Sequence, residues 1–173
     1  MLFVGCFYLP PEKSKDPEPM KLHIDCIEKI CDAANLNDIV IIAGDYNQPK
    51  IAWKPSRHGY MYADVSNTTS RRCGRNETTI QEILLDGTAR YNLLQVNPVT
   101  NINRRYLDLV YVNEGANYTV PASADEPLVR LDVNHPALVF DVNVNSPLPL
   151  IEDVDTTALN FKKTDYSALS DYF

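Results

Sequence analysis

The pattern of apolar and polar residues along the chain predicts strands and helices that follow one another in turn. Short runs rich in β-branched and aromatic residues predict strands at residues 2–8, 39–43, 93–96, 107–112 and 137–144. Apolar residues recur every three or four positions in two longer segments, which predicts helices over residues 20–34 and 77–91. This order is typical of an α/β protein, and we expect both helices to pack on one face of a mixed sheet.

Three segments lack this periodicity. Residues 10–19 are rich in proline and charged residues, which predicts a loop, and residues 49–76 form a long polar stretch in which no strand or helix is predicted. From residue 146 onward the sequence turns to prolines and acidic residues, which predicts a linker over residues 146–173. The predicted domain therefore spans residues 1–145.

Polar residues with metal-binding chemistry follow the apolar run 39–43. The run ends at Gly44, and Asp45 and Asn47 come next, two positions apart. In an extended chain such residues point the same way, so a carboxylate and a carboxamide would project together from the end of a buried strand. This pair suits a hydrated divalent cation and a phosphate oxygen. Taken alone, the segment is equally typical of an Asx turn after a strand.

Two further residues carry candidate chemistry. Asp108 lies between Leu107 and Leu109 on an apolar strand, and an unpaired buried carboxylate is costly, so we expect it to face a partner or a charge. His135 precedes a proline and the last predicted strand, and a histidine can act as a general base near neutral pH. A structural cap is the alternative role for His135. His23 and His58 are expected at the surface.

The composition of the chain limits the classes of protein to which it can belong. A chain of 173 residues with 45% hydrophobic and 23% charged residues is expected to form one globular domain. The net charge of -7 argues mildly against a dedicated nucleic-acid binder, although acidic metal ligands also lower the net charge. The four cysteines show no CxxC spacing, so we expect reduced, mostly buried thiols and an intracellular protein. No run has the length of a membrane helix, and the first residues lack the basic part of a secretory signal.

Four motifs in a fixed order resemble a known group of enzymes. They are FYLPP at residues 7–11, GDYNQP at 44–49 followed by Trp53, LDLV at 107–110, and an aspartate-containing HPAL at 132–138. Together they resemble the endonuclease/exonuclease/phosphatase superfamily. Within it they are most similar to the endonuclease domain of insect non-LTR (Jockey-like) retrotransposon polyproteins. The resemblance covers roughly residues 2–145.

The resemblance implies a fold, an activity and partners. The fold would be the C-terminal part of a four-layer α/β sandwich like that of deoxyribonuclease I. The activity would be that of an endonuclease fragment that uses Mg²⁺ or Mn²⁺ to hydrolyse phosphodiester bonds in DNA and so primes reverse transcription. Residues 146–173 would then lead to the reverse transcriptase domain of a full-length polyprotein, and the location would be nuclear.

The resemblance also assigns catalytic roles, one matched position at a time. Asp45 corresponds to the acid that helps to position and activate the attacking water. Asn47 would hold the scissile phosphate, and the hydroxyl group of Tyr8 would reach it; the alternative for Tyr8 is a packed aromatic ring. Asp108 would orient other active-site groups, and His135 would act as general base or stabilise the transition state.

Two departures from the superfamily bear on activity. Asn134 stands where an aspartate usually precedes the histidine, and the resemblance suggests Asp132 as a metal ligand in its place. The superfamily segment that supplies an early asparagine and the chief metal-binding glutamate would precede residue 1, so this portion of the domain is expected to be missing. We therefore expect poor cation binding and weak or no nuclease activity.

Two basic clusters flank the motifs and are the candidates for DNA contact. They comprise Arg71, Arg72, Arg75, Arg104 and Arg105. Two alternatives to the endonuclease fragment stay open on the sequence. One is a non-catalytic remnant of a decayed element, and the other is a phosphatase or phosphodiesterase of the same superfamily.

Overall fold

The protein's structure is a computed structural model that describes residues 1–64, 66, 79–127, 130 and 132–144. The helices are α1 (Pro17–Ala33) and α2 (Ile80–Arg90), and a single 3-10 turn covers Pro11–Lys13. The strands are β1 (Leu2–Tyr8), β2 (Ile39–Asp45), β3 (Trp53–Pro55), β4 (Met61–Ala63), β5 (Leu93–Gln95), β6 (Asp108–Asn113), β7 (Ala122–Ser123) and β8 (Leu138–Val139).

Six strands form one mixed sheet in the order β1-β2-β6-β5-β4-β3, and β7 and β8 form a separate two-stranded ladder. The β1–β2 pair is parallel, whereas the other pairs in the sheet are antiparallel. The predicted α/β class is therefore confirmed: the described residues form a six-stranded mixed sheet with two helices.

Local capping explains where the helices begin. The side chain of Asp16 accepts a hydrogen bond from the backbone of Glu18, and Pro17 occupies the first helical turn, so α1 begins three residues earlier than predicted. Thr79 and Glu82 form a reciprocal capping box at the start of α2. This box starts α2 at Ile80, later than the predicted residue 77.

Both helices pack on one face of the sheet, as predicted. Their buried side chains join the sheet residues of that face in one core, which includes Met20, Ile27, Leu84, Val40, Ile42, Leu109 and Tyr111. Gly87 allows the helices to approach, because a Cβ atom there would lie 2.6 Å from the side chain of Ile24.

The opposite face of the sheet has a second, smaller core. Ile39, Ile41, Val110 and Val112 pack there with Val96 and with residues from the segment that carries β7 and β8. On β1, Phe3 and Phe7 pack toward the helices, so the alternate residues point to this second face. Leu2, Val4, Cys6 and Tyr8 are exposed there.

Several predictions about elements and burial were wrong. Strands β3 and β4 lie in the polar stretch 49–76, where no strand was predicted, and the predicted strand 137–144 reduces to β8 plus an isolated bridge between Tyr118 and Val142. Cys6 and Cys26 are exposed and Cys31 is only half-buried, so the expectation of mostly buried thiols was wrong for these three. Residues 146–173, predicted to be a linker, lie outside the described residues. Within the described part of the chain, no helix is both long and apolar enough to span a membrane.

Candidate functional site

Three of the predicted site residues form a row across adjacent strands at one edge of the sheet. Tyr8 on β1 is the register partner of Asp45 on β2, and Asp45 is the register partner of Asp108 on β6. Register partners share a face, and neighbouring strands lie roughly 4.8 Å apart. The row lies on the face opposite the helices. The Tyr8 side chain is 63% exposed, which argues against the packed aromatic ring considered as its alternative.

A glycine permits this close arrangement. A Cβ atom on Gly44 would lie 1.8 Å from the carbonyl oxygen of Phe7 on the neighbouring strand. Only a residue without a side chain fits between the two backbones at this point. Gly44 therefore allows β1 and β2 to run side by side up to the row that contains Tyr8 and Asp45.

His135 completes the site from the segment that precedes β8. Its Nδ1 atom lies 3.1 Å from Oδ1 and 3.2 Å from Oδ2 of Asp108, and its Nε2 atom lies 3.7 Å from Oδ2 of Asp45. The backbone nitrogen of His135 donates to the carbonyl oxygen of Asp132 over 3.2 Å. Asp45, Asp108 and His135 therefore lie together at one edge of the sheet.

Asn47 supports the carboxylate of Asp45. Its Nδ2 atom donates over 2.8 Å both to Oδ2 of Asp45 and to the carbonyl oxygen of Leu9. Its backbone nitrogen donates to Oδ1 of Asp45 over 3.1 Å, in a left-handed backbone conformation with φ 46°. Because both amide hydrogens already have acceptors, Asn47 would have to exchange one of these bonds to donate to a phosphate. That role stays a prediction.

Burial sets the acidity of the two carboxyl groups. Burial raises the pKa of Asp45 and the charge of Asp108 adds to this, while hydrogen bonds from Asn47 and the nearby His135 oppose it. Burial likewise raises the pKa of Asp108, and Asp132 adds to this, while the hydrogen bond from His135 opposes it. Both carboxyl groups therefore bind protons more readily than an exposed aspartate.

For the imidazole of His135, the neighbouring acids together affect the pKa more than burial does. Burial alone would lower its pKa, but the hydrogen bond that the ring donates to Asp108 and the negative charges of Asp108, Asp45 and Asp132 outweigh burial and raise it. Asp132 thus acts on His135 by its charge and by its carbonyl group. Its carboxylate accepts a hydrogen bond from the backbone of Asn134 over 2.8 Å.

The site residues can hold a divalent cation. One ligand atom each from Asp45, Asp108 and His135 lies within 4.8 Å of the others, and all three side chains are half-buried. Two carboxylates and one imidazole are a suitable donor set for such an ion. Asp132, the predicted metal ligand, is not a member of this group; its carboxylate is exposed and accepts a hydrogen bond from the Asn134 backbone.

The predicted DNA-contacting arginines divide into two groups. Arg71, Arg72 and Arg75 lie outside the described residues. Arg104 and Arg105 are exposed on a loop in which the backbone nitrogen of Ile102 donates to the carbonyl oxygen of Val133 over 3.0 Å. This bond joins the loop to the segment that carries His135, so two cations lie on a loop attached to the site.

The prediction for His23 was wrong, and the one for His58 is confirmed. His23 is only 9% exposed, and its Nε2 atom lies 3.0 Å from the hydroxyl oxygen of Tyr46. Burial lowers its pKa to about 4. Its helical spacing from Met20 and Ile27 would have placed it on the buried face of α1. His58 is exposed.

Comparison of the chain with protein-family models, with curated proteins and with solved structures finds no match.

Proposed function

We propose that this chain supplies the catalytic residues of a metal-dependent phosphodiesterase that cleaves DNA, of the retrotransposon endonuclease type within the endonuclease/exonuclease/phosphatase superfamily. The observation that carries the proposal is the hydrogen-bonded pair of His135 and Asp108 beside the Asp45 carboxylate. The order of the sequence motifs is the reason for proposing this family, and the row formed by Tyr8, Asp45 and Asp108 supports the proposal.

His135 would handle the proton of the attacking water. A carboxylate can only accept, so the Nδ1 atom that faces Asp108 carries the hydrogen of the neutral ring. Nε2 is then the basic atom, and Asp108 holds both the tautomer and the orientation of the ring. Asp108 also stabilises the imidazolium that forms once His135 has taken the proton.

The carboxylates of Asp45 and Asp108 would hold a divalent cation, with Asn47 fixing the first of them. Magnesium or manganese bound there supplies electrophilic activation of a phosphate oxygen. Because two carboxylates are a small ligand set for a cation that prefers six oxygen ligands, we expect weak binding and slow turnover. The exposed phenol of Tyr8, on the same row, would donate to the phosphate.

Two features outside the row favour a nuclease and its fold. Arg104 and Arg105 lie on the loop that is bonded to the His135 segment, where they can meet a phosphate backbone. The exposed apolar residues of β1 lie on the face that the second sheet of a four-layer sandwich would cover. Both features agree with a deoxyribonuclease I-like domain in a retrotransposon polyprotein.

The net charge of -7 favours a second candidate function. A strongly acidic protein repels a DNA duplex more than it repels a small phosphoester. The same residues could then hydrolyse phosphomonoesters or small phosphodiesters.

A plasmid-nicking assay tests the proposal. We expect slow conversion of supercoiled DNA to the nicked form with Mg²⁺ or Mn²⁺, none with EDTA, and none with Asp45→Ala or His135→Ala. His58→Ala, at an exposed histidine away from the site, is the matched control and should leave nicking unchanged. Bis(p-nitrophenyl) phosphate and p-nitrophenyl phosphate test the second candidate. The absence of hydrolysis of all three substrates at high enzyme concentration would favour a non-catalytic remnant.

A further inference from the structure

The bend that carries Asp45 and Asn47 is anchored in the core by the residue between them. We refer to residues 45–47 as the site segment. The side chain of Tyr46 turns away from the site and is fully buried on the helix side of the sheet. Its backbone nitrogen donates to the carbonyl oxygen of Leu107 over 2.8 Å. The site segment is therefore held by its main chain at the sheet edge and by Tyr46 within the core.

His23 on α1 is the hydrogen-bonding partner of this anchor. Its Nε2 atom lies 3.0 Å from the Tyr46 hydroxyl oxygen. The imidazole in turn stacks on Phe7, with ring centroids 3.8 Å apart and an angle of 15° between the planes. The Tyr46 ring also contacts Phe7 and Tyr111, with centroids 5.0 Å and 5.6 Å away. A helix and two strands thus fix the position of one tyrosine.

Packing alone does not require a polar pair at this place. Two apolar side chains of similar size would fill the space without burying an imidazole and a hydroxyl group. The hydrogen bond adds orientation, because it fixes where the hydroxyl end of the Tyr46 side chain points and how deep it lies in the core. Asn47, the next residue, has a left-handed backbone and holds the Asp45 carboxylate, so a shift of Tyr46 would move both site residues.

We infer that His23 is a positioning residue for the site: its hydrogen bond to Tyr46 holds the site segment in the conformation that presents Asp45 and Asn47 together. The inference depends on the proposed function in one respect only, namely that the site segment forms part of a metal site. His23 itself lies on the helix side of the sheet and acts through Tyr46.

The test compares Tyr46→Phe, which removes only the hydroxyl group, with His23→Leu, which removes the ring nitrogens. His23→Gln keeps a hydrogen-bonding group within the same space and should restore the wild-type behaviour. Ile27→Val is the matched control, because Ile27 is fully buried on the same face of α1 one turn away. This control weakens the core without touching the pair.

The first measurement is hydrogen exchange by NMR at the Tyr46 backbone amide and the Asn47 side-chain amide, without metal. We expect exchange about fivefold faster in Tyr46→Phe and His23→Leu, as for the loss of one hydrogen bond, with the double variant no faster than either. The second measurement is Mn²⁺ affinity by electron paramagnetic resonance. We expect about a tenfold loss in the same variants, as when an outer-shell partner of a ligand is removed.

The outcomes separate the inference from the proposed function. Unchanged exchange in Tyr46→Phe and His23→Leu, or equal acceleration in Ile27→Val, would overturn the positioning role. Faster exchange confined to those two variants supports it. If that pattern appears while the wild-type protein binds no Mn²⁺, the positioning of the segment stands and the proposed metal site is wrong.

Discussion

Asp45 and Asp108 lie directly opposite each other across the antiparallel strands β2 and β6, on the face away from the helices. Burial raises the pKa of both carboxyl groups, and for Asp45 the neighbouring charge adds to the effect. Two like charges on adjacent strands destabilise a sheet unless a cation neutralises them. His135, whose ligand atom lies within 4.8 Å of those of both acids, supplies part of that charge when it is protonated, and a bound metal ion would supply the rest.

Divalent cations should therefore stabilise the folded protein. For a site that binds only the native state, a free ion concentration ten times Kd adds about 1.4 kcal/mol to the free energy of unfolding. We expect Mn²⁺ to raise Tm in the wild-type protein but not in Asp45→Ala, as measured by differential scanning calorimetry. Asp125→Ala removes an exposed acid from a loop and is the control. An equal rise in all three proteins would mean that the ion acts elsewhere.

The titration of His135 should reveal its bond to Asp108. Its pKa is raised because the hydrogen bond and charge of Asp108, with Asp45 and Asp132, outweigh burial. A group with a raised folded pKa stabilises the protein fully below its unfolded pKa, about 6.5, and this contribution is lost as pH rises through the folded value. NMR titration of the metal-free protein should place the pKa of His135 above the ordinary histidine value of about 6.5, and Asp108→Asn should lower it. A pKa unchanged by Asp108→Asn would contradict the paired geometry.

The parts of the fold and site that were predictable are those encoded locally. The buried run that forms β2, the glycine at its end and the polar residues after it are adjacent in sequence, so strand and site could be placed together. For Asp108 the sequence predicted only that a buried acid would face a partner or a charge, and the structure identifies that partner as His135.

What the sequence did not reveal depends on contacts between distant segments. Strands β3 and β4 have only three residues each, and β4 joins β5 through the single register pair Met61 and Gln95. Such short strands carry no measurable period. The burial of His23 likewise arises from Phe7 and Tyr46, which reach it from two other elements.

Gly44 should tolerate no side chain. The Cβ atom of Gly44→Ala would meet the backbone of Phe7, which cannot move without separating β1 from β2. We expect a loss of about 3 kcal/mol or more in the free energy of unfolding, measured with urea. Gly5→Ala on β1 is the control, because its nearest contact would be 3.6 Å from a side-chain atom of Ile42, an ordinary distance. If Gly44→Ala lowers the free energy of unfolding no more than the control does, β1 and β2 are farther apart at this point than the structure places them.

Mild acid should destabilise the protein through His23. Burial lowers its pKa to about 4, so the unfolded chain binds the proton first. A group with a lowered folded pKa contributes stability that is lost as pH falls, here from about 6.5 to the folded value. The total is on the order of 3 kcal/mol, from about 1.36 kcal/mol per pKa unit. His23→Gln does not titrate and should flatten this part of the stability profile; an unchanged slope between pH 6.5 and 4 would assign the acid sensitivity to other groups.

The exposed face of β1 should make the isolated chain self-associate. Leu2 and Val4 are 42% and 70% exposed on a strand at the edge of the sheet, and the strand carries no charged residue. Exposed apolar edge strands pair with other chains unless charges or prolines prevent it. Replacing both residues with threonine keeps the β propensity while adding polarity. We expect sedimentation velocity to show concentration-dependent association in the wild-type protein and less in this variant.

Leu36→Thr, at a loop residue that is 98% exposed, should not reduce association. A monodisperse wild-type sample that unfolds cooperatively and reversibly would show that this face is stable in water.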